Sequence, residues 1–280
     1  MADLAFVVDS TADLPESFDP RSTVRVVPLR ILWGGESYQD RVEISTQDFY
    51  RRLRSESSLP TTSAPPPGDF EQTYEELLRE HEGVVSIHLP SSLSGTYSAA
   101  VAAANHVNPG RIRVVEGGHC SLGLGWLAER AAKVGFETGD LNAAAAAATQ
   151  MVSRVRLLAA LDTLDFLQRG GRIGRVAALA GALLNVKPLL QISNGRVLPL
   201  ERVRSRGAAL RRLHELTLEM GRLERLAVLH GDALDGADSL YHMLSAGFPH
   251  LEIERGEISP VVGVHGGPGI VGVAAVVAES

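Results

Sequence analysis

The chain has 280 residues, of which 45% are hydrophobic, 5% aromatic and 21% charged, as in an ordinary folded protein. This length allows one large domain or two moderate ones. The formal net charge of -6 gives no reason to expect nucleic-acid binding or general membrane binding.

The cysteine content and the N-terminal segment argue against a disulfide-rich or secreted protein. Cys120 is the only cysteine, which excludes an intramolecular disulfide framework. Asp3 and Asp9 occupy the N-terminal segment, and no basic stretch precedes an apolar one, unlike in a secretory signal. No uninterrupted apolar run approaches the roughly 20 residues of a membrane span. We therefore predict a soluble, cytoplasmic protein.

Strands alternate with helices through the first half of the chain. The apolar run 4–8 predicts a buried strand, and 24–32 is a second apolar run before a turn at Gly34-Gly35. Further strands are predicted at 84–89 and 112–115, and helices at 47–54, 69–80, 95–107, 122–136 and 141–154. This alternation favours a parallel sheet with helices on both faces.

The second half mixes hairpins with helices. Asn194-Gly195 predicts a tight hairpin turn. Strands are predicted at 155–161, 189–192, 196–200, 226–230, 251–258 and 271–277, and helices at 163–169, 173–184, 205–220 and 233–245. We therefore predict two domains of an α/β protein: residues 1–154 with a parallel sheet, and residues 155–280 as an α+β domain with a mixed or antiparallel sheet.

The obvious catalytic motifs are absent or out of context. Gly267, Gly269 and Gly272 match G-x-G-x-x-G, but a predicted strand follows where dinucleotide binding needs a helix. Cys120 is better explained as a small core residue than as a nucleophile. The nine histidines show no metal-ligand spacing. We therefore predict no catalytic residue, no metal and no cofactor.

Four tracts rich in hydroxyls, histidine or glycine lie at the ends of apolar runs: 9–11, 61–63, 92–96 and 265–269. Neutral hydroxyls, a histidine and free backbone N–H groups can hold one carboxylate, and Ser94 directly precedes a predicted helix. Taken singly, Ser10, Thr11 and Ser94 are each better explained as helix caps. The pattern alone leaves both interpretations open.

Arginine supplies nearly all the positive charge, since Lys133 and Lys187 are the only lysines. Arginines cluster at 169–175 and again at 196–212. The guanidinium group suits carboxylates and phosphates, whereas a solvated surface is the plainer explanation of such clusters.

The hydroxyl tracts also resemble conserved segments of the DegV family of bacterial proteins. Residues 9–14 resemble D-S-T-x-D-L, 62–70 resemble T-S-Q-P-S-P-x-x-F with Ala64 and Pro66 as departures, and 92–97 resemble S-x-L-S-G-T-Y. Residues 164–174, 183–195, 201–206 and 265–269 resemble the later segments in the same order, so the likeness runs from end to end.

The resemblance implies two α/β domains with a long-chain fatty acid held between them. It implies that Thr62 and Ser94 donate their hydroxyls to the carboxylate, with Gly95 and His265 nearby. The apolar segments 173–190 and 261–277 are expected to enclose the tail.

It further implies a non-catalytic, lipid-carrying subunit of a bacterial fatty acid kinase, whose partner is a separate ATP-binding kinase subunit. Arg172, Arg202 and Arg204 are then expected on a docking or phosphoryl-transfer surface, and transient membrane contact is compatible with lipid exchange. The alternative is a stand-alone enzyme that acts on a small metabolite in the cleft between the domains.

Overall fold

The computed structural model describes residues 3–15, 18, 23–179 and 186–279. They form three sheets, nine α-helices and a 3-10 helix at Gly174–Leu179. The strands are β1 (Leu4–Asp9), β2 (Thr23–Val27), β3 (Arg30–Trp33), β4 (Glu36–Gln39), β5 (Thr61–Ser63), β6 (Gly83–His88), β7 (Ile112–Glu116), β8 (Val155–Ala160), β9 (Lys187–Ser193), β10 (Arg196–Val203), β11 (Leu223–Gly231), β12 (Ile253–Glu257) and β13 (Ile270–Val277). The helices are α1 (Thr46–Ser55), α2 (Pro67–Glu80), α3 (Thr96–Val107), α4 (Ser121–Thr138), α5 (Leu141–Val152), α6 (Asp165–Arg169), α7 (Arg206–Leu218), α8 (Leu234–Gly247) and α9 (Pro260–Gly266).

A parallel sheet with the strand order β2-β1-β6-β7 forms the centre of the N-terminal half. Every residue of β1 and of β6 is buried, as expected for parallel strands covered by helices on both faces. Helices α2 and α3 cover one face through Phe70, Tyr74 and Ala100. Helices α4 and α5 cover the other through Trp126 and Ala144. The predicted parallel α/β arrangement is confirmed.

The apolar run 24–32 does not form one strand. It divides into β2 and β3, which belong to different sheets, and Pro28, which lacks an N–H group, lies between them. Strand β3 forms a small antiparallel sheet in the order β4-β3-β5, and its Trp33 packs edge-on against Phe49 of α1. The sequence pattern does not reveal this sheet, because β4 and β5 are short and polar. It matters to function because β5 carries Thr62.

The C-terminal half contains a mixed six-stranded sheet in the order β10-β9-β8-β13-β11-β12. Only the β11–β12 pair is parallel among these pairings. Asn194 and Gly195 turn the β9–β10 hairpin with φ values of 47° and 74°, as the sequence predicts. Helices α7 and α8 pack on this sheet. The predicted α+β architecture is confirmed, whereas the boundary at residues 154 and 155 stays a prediction.

Two segments differ from their predicted structure. The helix predicted at 173–184 is a 3-10 helix over its described part, and residues 180–185 lie outside the described residues. Gly171 and Gly174 have φ values of 70° and 37°, which interrupt a regular helix at its start. Conversely, residues 260–266 form helix α9, which the sequence pattern did not predict. The helix begins at Pro260 and is ended by Gly267, whose φ is 76°.

None of the helices in the described ranges is both long and apolar enough to cross a lipid bilayer.

Candidate functional site

A mainly apolar cavity lies where the carboxyl ends of β1 and β6 face the six-stranded sheet. The empty space between its walls is about 970 Å³, which includes the solvent-filled opening. Both halves of the chain line it. The apolar lining residues are Leu29, Leu89, Leu93, Leu157, Leu158, Ala159, Leu161, Leu167, Leu190, Ile192, Val197, Leu229, Ile258, Val261, Val262 and Ile270.

Hydroxyl and imidazole groups line one part of this cavity. Strand β5 carries Thr62 and α9 carries His265, and the Thr62 Oγ1 lies 2.9 Å from the His265 Nε2. Ser94 also lines the cavity, and its Oγ lies 2.9 Å from the Oγ1 of Thr96. The structure therefore places three of the predicted site residues on the walls of one cavity. Thr11, whose alternative explanation is capping, joins them there.

Gly95 has a different position. It is the residue before α3, where the Thr96 N–H group donates to the Ser94 Oγ at 3.3 Å. Gly95 does not line the cavity but lies in an outer crevice of about 1080 Å³. We define the outer crevice by its lining residues Ser91, Ser92, Leu93, Ser94, Gly95, Gly171, Arg172, Gly174, Gly195, Arg196 and Val197. It shares Leu93, Ser94, Arg172 and Val197 with the cavity, so the two adjoin at the hydroxyl end.

His265 is electrically neutral at physiological pH. Burial, followed by the nearby charge of Arg172, lowers the pKa of its imidazole to about 4. Its Nδ1 is buried without a hydrogen-bond partner among the described residues, and a Cβ at Gly170 would collide with this atom. An N–H group without an acceptor is a rarer buried state than an acceptor without a donor. We therefore assign the proton to Nε2.

That assignment fixes the role of the Thr62 hydroxyl. The His265 Nε2–H donates to the Thr62 Oγ1, so the hydroxyl proton of Thr62 is free to donate to another group. Together with the Ser94 hydroxyl and the N-terminal end of α3, it offers neutral donors for one anionic oxygen group.

The geometry and pKa of the cysteine in the cavity do not favour nucleophilic catalysis. Cys120 lines the cavity, but burial, followed by the charges of Asp13 and Asp9, raises the pKa of its thiol to about 12. A thiol in that state is a poor nucleophile at neutral pH. Across the part of the chain that the structure describes, no group of three or more His, Cys, Asp or Glu side chains is placed to hold a metal ion.

The predicted arginines do not share one location. Arg172 lines both the cavity and the outer crevice, and it is fixed by donating to the carbonyl oxygens of Leu93 at 3.1 Å and Gly170 at 2.7 Å. Arg202 and Arg204 are exposed and line neither space. Arg196 lines the outer crevice instead. The sequence places Arg196 in an arginine cluster but gives it no separate role.

The predicted tail-enclosing segments contribute unequally. Between residues 261 and 277 the segment supplies Val261, Val262, Ile270 and Gly272 to the lining. From 173 to 190 only Leu190 lines the cavity among the described residues, and Ala177 is exposed. Strand β8 supplies Leu157, Leu158 and Ala159, which the sequence interpretation did not select. Their small or aliphatic side chains on a predicted strand were the available signal.

The comparisons with known proteins cover almost the whole chain. The family model described as "Uncharacterised protein, DegV family" matches residues 3–278. A DegV domain-containing protein of Streptomyces coelicolor is 39% identical over 274 residues, covering 96% of this chain and 97% of that protein.

Solved structures of DegV family proteins have the same fold as this chain. A DegV family protein from Thermus thermophilus, described for its fatty acid binding, has a TM-score of 0.89 at 35% identity and covers 99% of this chain and 100% of that one. The Fatty Acid Kinase B3 protein of Streptococcus pneumoniae, loaded with linoleic acid, shares the fold with a TM-score of 0.87 at 17% identity, over 99% of this chain and 100% of that one. The chain belongs to the DegV family.

Proposed function

We propose that this protein binds a long-chain fatty acid in the cavity and presents the carboxylate to a separate ATP-dependent kinase subunit. The observation that carries the proposal is the position of Thr62, Ser94 and His265 on a cavity whose lining is otherwise mainly aliphatic. A single-chain acid has this same division into a polar head and an apolar tail. The DegV protein of Thermus thermophilus, described for fatty acid binding, supports the choice of ligand.

In this proposal the carboxylate accepts hydrogen bonds from the hydroxyls of Thr62 and Ser94. His265 holds the Thr62 oxygen through its Nε2–H, and Gly95 lies at the beginning of α3 beside the head group. Because His265 is neutral, the hydrogen bonds to the head group come from neutral donors, while Arg172 supplies a positive charge on the same cavity. The bound carboxylate keeps its negative charge and can act as a nucleophile toward a phosphoryl group.

The acyl tail supplies most of the affinity. Burial of a methylene group stabilises by about 0.8 kcal/mol, so about fifteen methylenes contribute on the order of 12 kcal/mol before the costs of association. The head group then mainly fixes the orientation of the ligand. The proposed domains, residues 1–154 and 155–280, both contribute walls, so the ligand lies between them.

The outer crevice is the proposed route to the kinase. It adjoins the cavity at Ser94 and Arg172, which is the end at which the carboxylate is bound. Arg172 and Arg196 line it, and arginine can stabilise a transferring phosphoryl group or pair with carboxylates of a partner. Arg202 and Arg204 then belong to a wider docking surface. The fold shared with the Fatty Acid Kinase B3 protein is compatible with such a partner. Because the kinase uses ATP, the proposal places the complex in the cytoplasm.

Organic extraction of the purified protein followed by mass spectrometry tests the proposal. We expect a fatty acid in roughly stoichiometric amount, and an acyl phosphate after addition of ATP and the cognate kinase subunit. An empty site, or a water-soluble metabolite in place of lipid, would contradict the proposal and favour the stand-alone enzyme.

A further inference from the structure

A continuous chain of hydrogen bonds runs through the N-terminal sheet beside the cavity. The Tyr74 hydroxyl donates to the Ser86 Oγ at 2.8 Å, the Ser86 Oγ lies 2.6 Å from the His88 Nε2, and the His88 Nδ1 lies 3.2 Å from the Asp9 Oδ2. All four side chains are 0% exposed. We call these four residues the relay.

One arrangement of protons satisfies every member of the relay. Tyr74 donates to Ser86, so the Ser86 hydroxyl donates to the His88 Nε2, and the Nδ1–H of His88 donates to Asp9. Asp9 also accepts from the Thr11 N–H at 3.0 Å, from the Thr11 hydroxyl at 2.5 Å and from the Leu89 N–H at 2.9 Å. These donors satisfy the hydrogen-bonding capacity of a carboxyl group that is fully buried.

The atoms of Ser86, His88 and Asp9 follow the order found in serine hydrolases, but the setting excludes that chemistry. Ser86 lies within β6, paired with Val7 on one side and Val114 on the other. It does not line the cavity, and its oxygen already accepts a hydrogen bond from Tyr74. No substrate reaches this serine. Any role of the relay in function must therefore come from the segments whose positions it fixes.

The relay connects three segments that carry hydroxyls lining the cavity. Asp9 ends β1, which leads to Thr11, and His88 ends β6, which leads through Leu89 to Ser94. Tyr74 belongs to α2, which begins shortly after β5 and its Thr62. The ring of Phe70, also on α2, packs edge-on against His88 with centroids 5.0 Å apart.

Donors on separate segments can hold one carboxylate only while their spacing is fixed, because an error of about 1 Å weakens each hydrogen bond severely. We propose that the Tyr74–Ser86–His88–Asp9 relay is a positioning device that sets the spacing of Thr62 and Ser94, so that the protein distinguishes a carboxylate from an uncharged head group on the same acyl chain. This inference deepens the proposed function and rests on it for the identity of the ligand.

The first experiment compares a sixteen-carbon acid with the alcohol of the same length. The variants are Ser86→Ala, which breaks the middle of the relay, and Tyr74→Phe, which removes its first donor. Ser98→Ala on the exposed face of α3 and Tyr97→Phe are the matched controls. We expect the relay variants to bind the acid roughly 10-fold more weakly and the alcohol unchanged, because hydrogen bonds to a charged head group are stronger and therefore lose more when the spacing of their donors changes. An equal loss for both ligands would show a general structural role and overturn the inference.

His88 provides a rescue test within the same comparison. In His88→Asn the amide nitrogen takes the position of Nδ1 and keeps a donor for Asp9, whereas His88→Leu removes it. We expect the asparagine variant to keep more of the preference for acid over alcohol than the leucine variant. Identical preferences in the two variants would contradict the role of the Asp9 contact.

Hydrogen exchange of the ligand-free protein separates this inference from the proposed function. In Ser86→Ala, we expect exchange of the amides at 11–12 and 91–96 to rise about 10-fold, with those of β8 and β13 unchanged. Unchanged exchange at 91–96 would overturn the relay's role. A wild-type protein that binds neither the acid nor the alcohol would contradict the proposed ligand, and the exchange result would then decide the relay by itself.

Discussion

The imidazole Nε2 of His265 lies 2.9 Å from the hydroxyl oxygen of Thr62, although 203 residues separate them along the chain. Strand β5 and helix α9 bring them together from the two halves of the sequence. The polar end of the cavity therefore exists only when both halves are folded and packed against each other. That contact, and the buried Nδ1 behind it, determine what the site offers a ligand.

His265 should be the Nε2–H tautomer throughout the neutral range. Nitrogen-15 NMR of the imidazole should show a protonated Nε2 and an unprotonated Nδ1 from pH 6 to 8, since burial lowers the pKa to about 4. The internal control is His106, which is exposed and whose pKa is raised by its hydrogen bond to Glu71. Titration of His265 near 6.5, or a proton on Nδ1, would contradict the assignment.

Removal of the Thr62 and Ser94 hydroxyls should release the head group without unfolding the protein. We expect the double variant Thr62→Val, Ser94→Ala to bind a long-chain acid on the order of 10- to 100-fold more weakly, measured by titration of delipidated protein. Thr61→Val, Ser98→Ala is the matched control, because both of its hydroxyls are exposed. Equal binding by the two double variants would refute the carboxylate assignment.

A larger side chain in the apolar part of the cavity should shorten the acyl chain that the protein accepts. Ala159 lines the cavity from β8, so Ala159→Phe should displace the end of a long tail. Each excluded methylene costs about 0.8 kcal/mol, or about fourfold in affinity. A series of acids of increasing length should then reach its affinity limit earlier than in wild type. Ala146→Phe, on the exposed face of α5, should leave the dependence of affinity on chain length unchanged. If Ala146→Phe also lowered the longest chain that the protein accepts, the result would contradict binding of the tail in the cavity.

The arginines at the crevice and beyond should serve the kinase rather than the tail. We expect Arg196→Glu, Arg202→Glu to reduce acyl phosphate formation by the cognate kinase at least roughly 10-fold while bound lipid, measured by mass spectrometry, stays normal. Arg172 is less suitable, because its hydrogen bonds to Leu93 and Gly170 also hold the cavity wall. Arg79→Glu on the exposed face of α2 is the control. If the Arg196→Glu, Arg202→Glu variant supported normal acyl phosphate formation, these arginines would be explained as ordinary solvated surface residues.

Asp40 should make stability depend on pH. Burial raises the pKa of its carboxyl from 3.8 to about 7, with Asp13 adding to the effect and Ser10, Arg41 and the Val261 N–H opposing it. Neither carboxyl oxygen makes a hydrogen bond of normal geometry to the described residues. Because the folded pKa is the higher one, the stabilising contribution is complete below pH 3.8 and is lost as the pH rises through about 7.

Asp40→Asn cannot ionise, so its free energy of unfolding relative to wild type should rise between pH 4 and pH 8 by up to about 4 kcal/mol. Urea denaturation across this range measures the difference. Asp235→Asn, an exposed carboxylate in α8, should show no such trend. A difference between Asp40→Asn and wild type that stays constant with pH would disprove the raised pKa.

The elements predicted correctly from sequence are those whose signals are local. The buried strands β1 and β6 are continuous apolar runs, and Asn194-Gly195 specifies its hairpin without help from distant residues. Strands β4 and β5 are short and polar, and they pair only because β3 lies between them. Helix α9 was missed because its valines and glycines read as part of a longer apolar segment.

Some features of the candidate site could likewise be recognised from the sequence, and others could not. Thr62, Ser94 and His265 were selected together by family resemblance, since single hydroxyls cannot be told from caps by pattern alone. The relay did leave a signal in the sequence. Ser86 and His88 are polar residues two positions apart in an apolar strand, so they share one face and must find partners there. The cavity left no such signal, because it arises between segments distant in the chain.

The central place of β13 has a consequence for the order of folding during synthesis. This strand lies between β8 and β11, so the six-stranded sheet is interrupted until residues 270–277 have left the ribosome. The parallel sheet, built from residues 4–116, is complete long before that. Since Ile270 and Gly272 of β13 form part of the cavity wall, the cavity closes only after β13 has joined the sheet. The ligand of the proposed function would then enter after this step, and until then the apolar faces that will line the cavity need protection from aggregation.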